Sequence, residues 1–171
     1  MSYLYNHQQF PDYVFNNINL NYLFVPLNVV FENDFLLKLR SFLQKHNISH
    51  LTIENTEPNE FTFKQEVPVS KMPNSFSECV TAETIKTFNG STISFYMLTE
   101  QGVIYTNEAP DLFAIVLDRH YWIGIIGLSN ASDLHFFIQF AEENMIEHLT
   151  ANAANGRLTE QLKSKLKTNW R

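Results

Sequence analysis

The sequence predicts an α+β fold: an antiparallel sheet of about five to six strands with helices packed mainly on one face. Three observations carry this. The middle of the chain alternates apolar and polar residues between short turns, as antiparallel strands do. Other segments place apolar residues at helical spacing. The composition is 44% hydrophobic and 14% aromatic, with fifteen Phe, and such large side chains fill a core that both kinds of element can share. At 171 residues the chain fits one domain, 1–171, which buries roughly 70% of its unfolded surface without a disulfide or metal.

In chain order, the first nineteen residues mix aromatics with Asn and Gln and suggest only a short helix around Pro11–Asn17. Tyr22–Phe31 reads as extended, with Pro26 placing it at a sheet edge or splitting it. A helix begins near Asn33, where Phe35, Leu36, Leu39, Phe42 and Leu43 share one face. His50–Glu54 and Phe61–Val69 read as strands joined through Glu57, Pro58 and Asn59. Ser75–Phe88 reads as a helix, with Phe76, Val80, Thr84 and Phe88 spaced by four and Asn89-Gly90 as its stop. Thr92–Thr99 and Val103–Asn107 read as a hairpin around Gly102. Asp111–Leu117 and Tyr121–Leu128 form a second, turning at Asp118-Arg119-His120. The last strand is apolar on both faces, which predicts a central position, and Gly124 and Gly127 allow a close backbone approach. A long helix is expected to open at Asn130 or Ser132 and stop at Asn155-Gly156. Residues 157–171 read as a basic amphipathic helix with Leu158, Leu162, Leu166 and Trp170 spaced by four.

Charge divides unevenly. Residues 1–156 carry seven Lys/Arg and seventeen Asp/Glu, net −10, whereas residues 157–171 carry five basic residues and one Glu, net +4. An acidic body repels phosphate, so no nucleic-acid surface is expected. No stretch reaches the roughly 18 apolar residues of a membrane span; Leu112–Leu128 is interrupted by Asp118, Arg119 and His120. Met1–Asn21 lacks the basic and apolar blocks of a signal peptide, and the single Cys79 cannot form an internal disulfide. A cytoplasmic location is therefore expected.

The search for chemistry yields little. His46 and His50 straddle a helix end, which is not the continuous helix that metal ligands at that spacing need. Glu142, Glu143, Glu147 and His148 read as a solvated face. Neither a nucleophile elbow nor a phosphate loop occurs, with five Gly in the whole chain. Cys79 lies between Glu78 and Glu83, which disfavour a thiolate. No cofactor or metal is implied, and the balance points away from an enzyme, although groups converging from distant positions escape such a search.

Met72-Pro73, a helical stretch of about fifteen residues, Phe88-Asn89-Gly90, antiparallel strands, and a helix opened by Ser132-Asp133-Leu134 with Phe136-Phe137 together make the chain resemble SUKH-type proteins across about residues 72–145. It departs from that pattern in having a strand before Pro73, where the family has an acidic helix, and no second Gly after Asn89-Gly90. Many members are bacterial immunity proteins, so the resemblance implies an inhibitor that neutralises a cognate toxin by covering its active-site surface.

The acidic body independently suits a partner protein with a basic surface. The candidate contacts, all from loops or strand ends, are Glu54, Glu57, Glu60, Glu108, Asp111, Asp118, Tyr121 and Trp122. Two other classes remain open: a small enzyme with a non-local site, recognisable by a cleft with converging polar groups, and an assembly subunit, recognisable by a large apolar patch.

Overall fold

The structure is a computed structural model that describes residues 21–57, 61–87, 89–119 and 122–141. The expected N-terminal helix, the helix beyond residue 141 and the basic helix at 157–171 lie outside the described residues, as do Glu60 and Tyr121.

Strands β1 (Asn21–Pro26), β2 (His50–Glu57), β3 (Lys64–Pro68), β6 (Gln101–Tyr105), β7 (Phe113–Asp118) and β8 (Ile123–Leu128) form one antiparallel sheet in the order β1-β8-β7-β6-β2-β3. The α+β architecture is therefore as the sequence predicts. Pro26 ends an edge strand, and β8 is an interior strand buried along its whole length. The other edge, β3, opens on Lys64-Gln65-Glu66, charged and polar residues that discourage pairing with another chain.

Helix α1 (Asn33–Lys45) buries the five residues of its apolar stripe. Leu23, Ile126, Ile115, Ile104 and Ile53 follow one another across the strand register and meet α1 in the same core. Phe42 anchors this core, with the rings of Phe113 and Phe137 at 5.4 and 5.5 Å. Edge-to-face pairs of this kind add about 0.5–1.5 kcal/mol beyond area burial.

Two glycines bring neighbouring segments onto the sheet. A Cβ on Gly124 would lie 2.7 Å from Val30 Cγ2 and 3.1 Å from Val25 Cγ2. One on Gly102 would lie 2.8 Å from Phe95 Cζ and 3.2 Å from the Glu54 carbonyl oxygen. The first contact seats the 3-10 segment Leu27–Phe31; the second seats α3 (Phe95–Leu98).

Four expected elements differ. Of the extended reading over Tyr22–Phe31, only the part as far as Pro26 is a strand, and Leu27–Phe31 is a 3-10 segment, because Pro26 cannot continue the ladder. The helix expected over Ser75–Phe88 is only α2 (Asn74–Thr81), followed by β4 (Glu83–Lys86) paired with β5 (Thr92–Ser94) in a separate small sheet. The β-branched Thr84 and Ile85 favour extension, and Ile85 is buried opposite Ile93. The expected hairpin of Thr92–Thr99 with Val103–Asn107 is absent, because Ser94 ends its strand. The Ser94 hydroxyl accepts the Met97 N–H at 3.3 Å and starts α3, the local bond by which Ser favours a helix start. The long helix expected from Ser132 is, as far as residue 141, two 3-10 segments, Ala131–Phe136 and Ile138–Phe140. Asp133 is held by Lys45 Nζ at 2.6 Å and His46 Nε2 at 3.0 Å, while Phe137 inserts beside Phe35 and Phe42. These two anchors leave Ile138 exposed.

Two predictions follow from this packing. Gly124→Ala forces its methyl group against the buried Val30 and is expected to cost about 1–3 kcal/mol in urea unfolding. Asp133 is buried, and burial alone raises a carboxyl. The hydrogen bond from Lys45 and the charges of His46 and Lys45 outweigh that and hold it below its ordinary value. Its contribution is thus complete above the unfolded carboxylate value of about 3.9 and is lost as pH falls through the lower folded value. Asp133→Asn is expected to lower stability at pH 7 by about 1–3 kcal/mol and to flatten the acid limb of the stability profile.

Candidate functional site

The sequence-derived contacts divide between the two ends of the sheet. Glu108 and Asp111 lie at the end where β6 leads into β7. Glu108 accepts the Ser49 N–H at 3.0 Å, the Ser49 hydroxyl at 2.7 Å and the His50 N–H at 2.8 Å. These bonds, Ser49's foremost, hold its carboxyl below the usual range, so Glu108 ties down the start of β2. Asp111 is exposed. Glu54, within β2, accepts the Tyr105 hydroxyl at 2.8 Å and faces Lys64 Nζ at 3.4 Å.

At the opposite end lie Glu57, Asp118 and Trp122. Asp118 does not have the surface position expected of it: it is fully buried and accepts a bond from Gln101 Nε2 at 2.7 Å. Trp122 is 54% exposed. Its φ is +60°, a left-handed conformation that is a genuine outlier for a bulky residue and recurs at functional positions. Its carbonyl accepts the Leu27 N–H at 3.1 Å.

Around Trp122 the fold assembles a pocket that the sequence did not reveal. Leu27, Phe31, Phe95 and Leu117 supply apolar walls, and Asn28, Tyr96, Thr99, Glu100, Arg119 and Trp122 complete it. The hollow encloses only about 20 Å³, room for about one water molecule, and is otherwise open to solvent. Tyr96 is 42% and Met97 64% exposed, and the Tyr96 ring meets Phe31 edge-on at 5.0 Å. Arg119 donates from Nη1 to the Met97 carbonyl at 2.6 Å and from Nη2 to the Tyr96 carbonyl. A cation on carbonyls near the C-terminus of α3 is favourably placed. The strand reading of Thr92–Thr99 concealed Tyr96 and Met97; the signal that could have found them is Ser94 three residues before Met97, the spacing of a helix cap.

Among the described residues, no group of three His, Cys, Asp or Glu could hold a metal ion, and no helix is long and apolar enough to cross a membrane. Burial pushes the Cys79 thiol up to about 11, which leaves it protonated and unreactive at neutral pH. No family model, curated protein or solved structure matches this chain.

Among the described residues, Thr99 is the one in the pocket lining with a polar atom both buried and unbonded, its hydroxyl having no hydrogen-bond partner there. An unpaired buried hydroxyl is a net cost, and valine has nearly the same shape. Thr99→Val is expected to raise stability by about 0.5–2 kcal/mol in denaturant unfolding.

Proposed function

We propose that this protein acts by binding another protein, with the surface around Trp122, Tyr96 and Met97 as the centre of contact. The supporting observation is the exposure of two large aromatic rings and a thioether at one end of a rigid sheet. Trp, Tyr and Arg carry most of the binding energy at protein interfaces, and their few rotatable bonds limit the entropy lost on association. A solvent-exposed tryptophan held in a strained backbone contributes little to the core, so its placement fits a role in recognition.

The net charge of −6 favours a partner with a basic surface, because opposite potentials accelerate encounter. The function follows from occlusion: an inhibitor seated over a basic active-site surface excludes that partner's substrate without performing chemistry of its own. The resemblance to immunity proteins points the same way, towards neutralisation of a toxin.

The test compares the wild-type chain with Trp122→Ala/Tyr96→Ala as bait in extracts of the source organism, followed by calorimetry on the purified partner. The expected result is one stoichiometric partner whose activity falls on binding, and an affinity reduced at least about 30-fold in the double variant, equivalent to roughly 2 kcal/mol. Folding of the variant is checked by its unfolding midpoint. Equal affinity of variant and wild type rejects this surface, and turnover of a small molecule with no partner recovered rejects the inhibitor.

A further inference from the structure

The face of the sheet turned away from α1 is apolar and covered. Leu23, Ile126, Ile115 and Ile104 point towards α1, so the alternate row on the same strands, Phe24, Ile125, Val116 and Val103, points the other way. Tyr22 and Tyr105 stand in the next row of that second face. All six are at most 4% exposed, and none belongs to the core that α1 completes. Burial pushes the Tyr22 hydroxyl up to about 12. The described helices, the 3-10 segments and the small sheet all give apolar side chains to the α1 core, as Phe76, Phe95, Val30, Phe140 and Ile85 do. Among the described residues no further element is available to cover the second face.

Two stretches outside the described residues are long enough to do so, 1–20 and 142–171. Charge and periodicity separate them. The second face is bordered by Glu54 and Glu66 against a single Lys64, in register with Val103 and Tyr105. Residues 1–20 hold Asp12 and no Lys or Arg, whereas residues 157–171 hold five basic residues and one Glu. At helical spacing Lys163 and Lys165 flank the stripe of Leu158, Leu162, Leu166 and Trp170 on its two sides. Their stems can lie on apolar surface while the ammonium groups reach the border carboxylates. As a helix the stripe is about 18 Å long, close to the roughly 20 Å of a six-residue strand such as β7 or β8. The connection is also long enough. Phe140 ends on the α1 side, its ring 5.3 Å from Phe35, and Ala131–Phe136 lies against β1 and β8. Residues 142–157 can pass the β1 edge, since even as a helix they extend about 24 Å, against a layer spacing of about 10 Å. We propose that residues 157–171 close the second face of the sheet as an amphipathic helix, laying the Leu158, Leu162, Leu166 and Trp170 stripe over Phe24, Ile125, Val116 and Val103, with Lys163 and Lys165 at the acidic border. The basic segment is then a fixed part of the domain, its positive charge held against the chain's own carboxylates.

Two measurements on the full chain test this. With the photoreactive p-benzoylphenylalanine in place of Leu162, irradiation is expected to link that position, within one monomer, to second-face residues of β1, β6, β7 or β8, as mapped by mass spectrometry. A link to α1, a link to a second copy, or no link overturns the proposal. So does a link to these strands from the same group at Phe15 when the group at Leu162 gives none, which assigns the face to residues 1–20. In urea unfolding, Leu162→Ala is expected to raise the unfolding equilibrium constant at least about 30-fold, the loss typical of a buried leucine. A change within about twofold is that of an exposed helical position and overturns the proposal equally.

Discussion

The constraint on which the site depends is the bare backbone at Gly102 and Gly124. Each lies on the face of the sheet that meets α1, and each leaves room for one buried side chain, Phe95 or Val30. A close-packed interior has no slack for an extra methyl group at such a point. The 3-10 segment Leu27–Phe31 and helix α3 are thereby pressed against the sheet from separate parts of the chain. The pocket is the gap between them, closed by Leu117, Arg119 and Trp122. Its shape is therefore a consequence of core packing, which places its aromatic residues on a rigid support.

The sequence revealed the parts of the fold that rest on local patterns. The α1 stripe was legible because its five apolar residues repeat at helical spacing and all five are buried. The interior position of β8 was legible because both its faces are apolar, and the edge position of β1 because Pro26 cannot donate to a ladder. Patterns misled where a single side-chain contact outweighs propensity. Ser94 caps α3 and cuts a convincing strand in two. Asp133, drawn to Lys45 and His46 from 88 and 87 residues away, belongs to a 3-10 segment where spacing suggested an α-helix. The close approach at Gly124 was foreseeable from a glycine within an apolar strand, but Gly102 read as a turn residue until β6 was seen to begin at Gln101. Of the residues that line the pocket, Trp122 is the one that the sequence reading named as a contact. The rest converge from residues 27–31, 95–100 and 117–122, a meeting set by strand order and invisible to any local motif.

The acidic composition also takes on a finer grain. Much of the negative charge is spent inside the molecule: Glu108 on the Ser49–His50 backbone, Glu54 on Tyr105 and Lys64, Asp118 on Gln101, Asp133 on Lys45 and His46. Net charge counts these groups equally with Glu100 and Glu57, although a carboxylate already bonded to its own chain has less to offer a second protein. The local balance of unpaired charge, which composition does not report, is what bears on recognition.

Two of the polar ties and the exposed rings occupy opposite ends of the sheet. The Glu108 and Asp133 ties gather where α1 ends and β2 begins; Trp122, Tyr96 and Met97 stand where β7 ends and β8 begins. In a molecule arranged this way those two fastenings stand apart from its exposed rings. Copies of such a chain could therefore diverge in what they recognise, exchanging one exposed ring for another, while the scaffold beneath them stays folded.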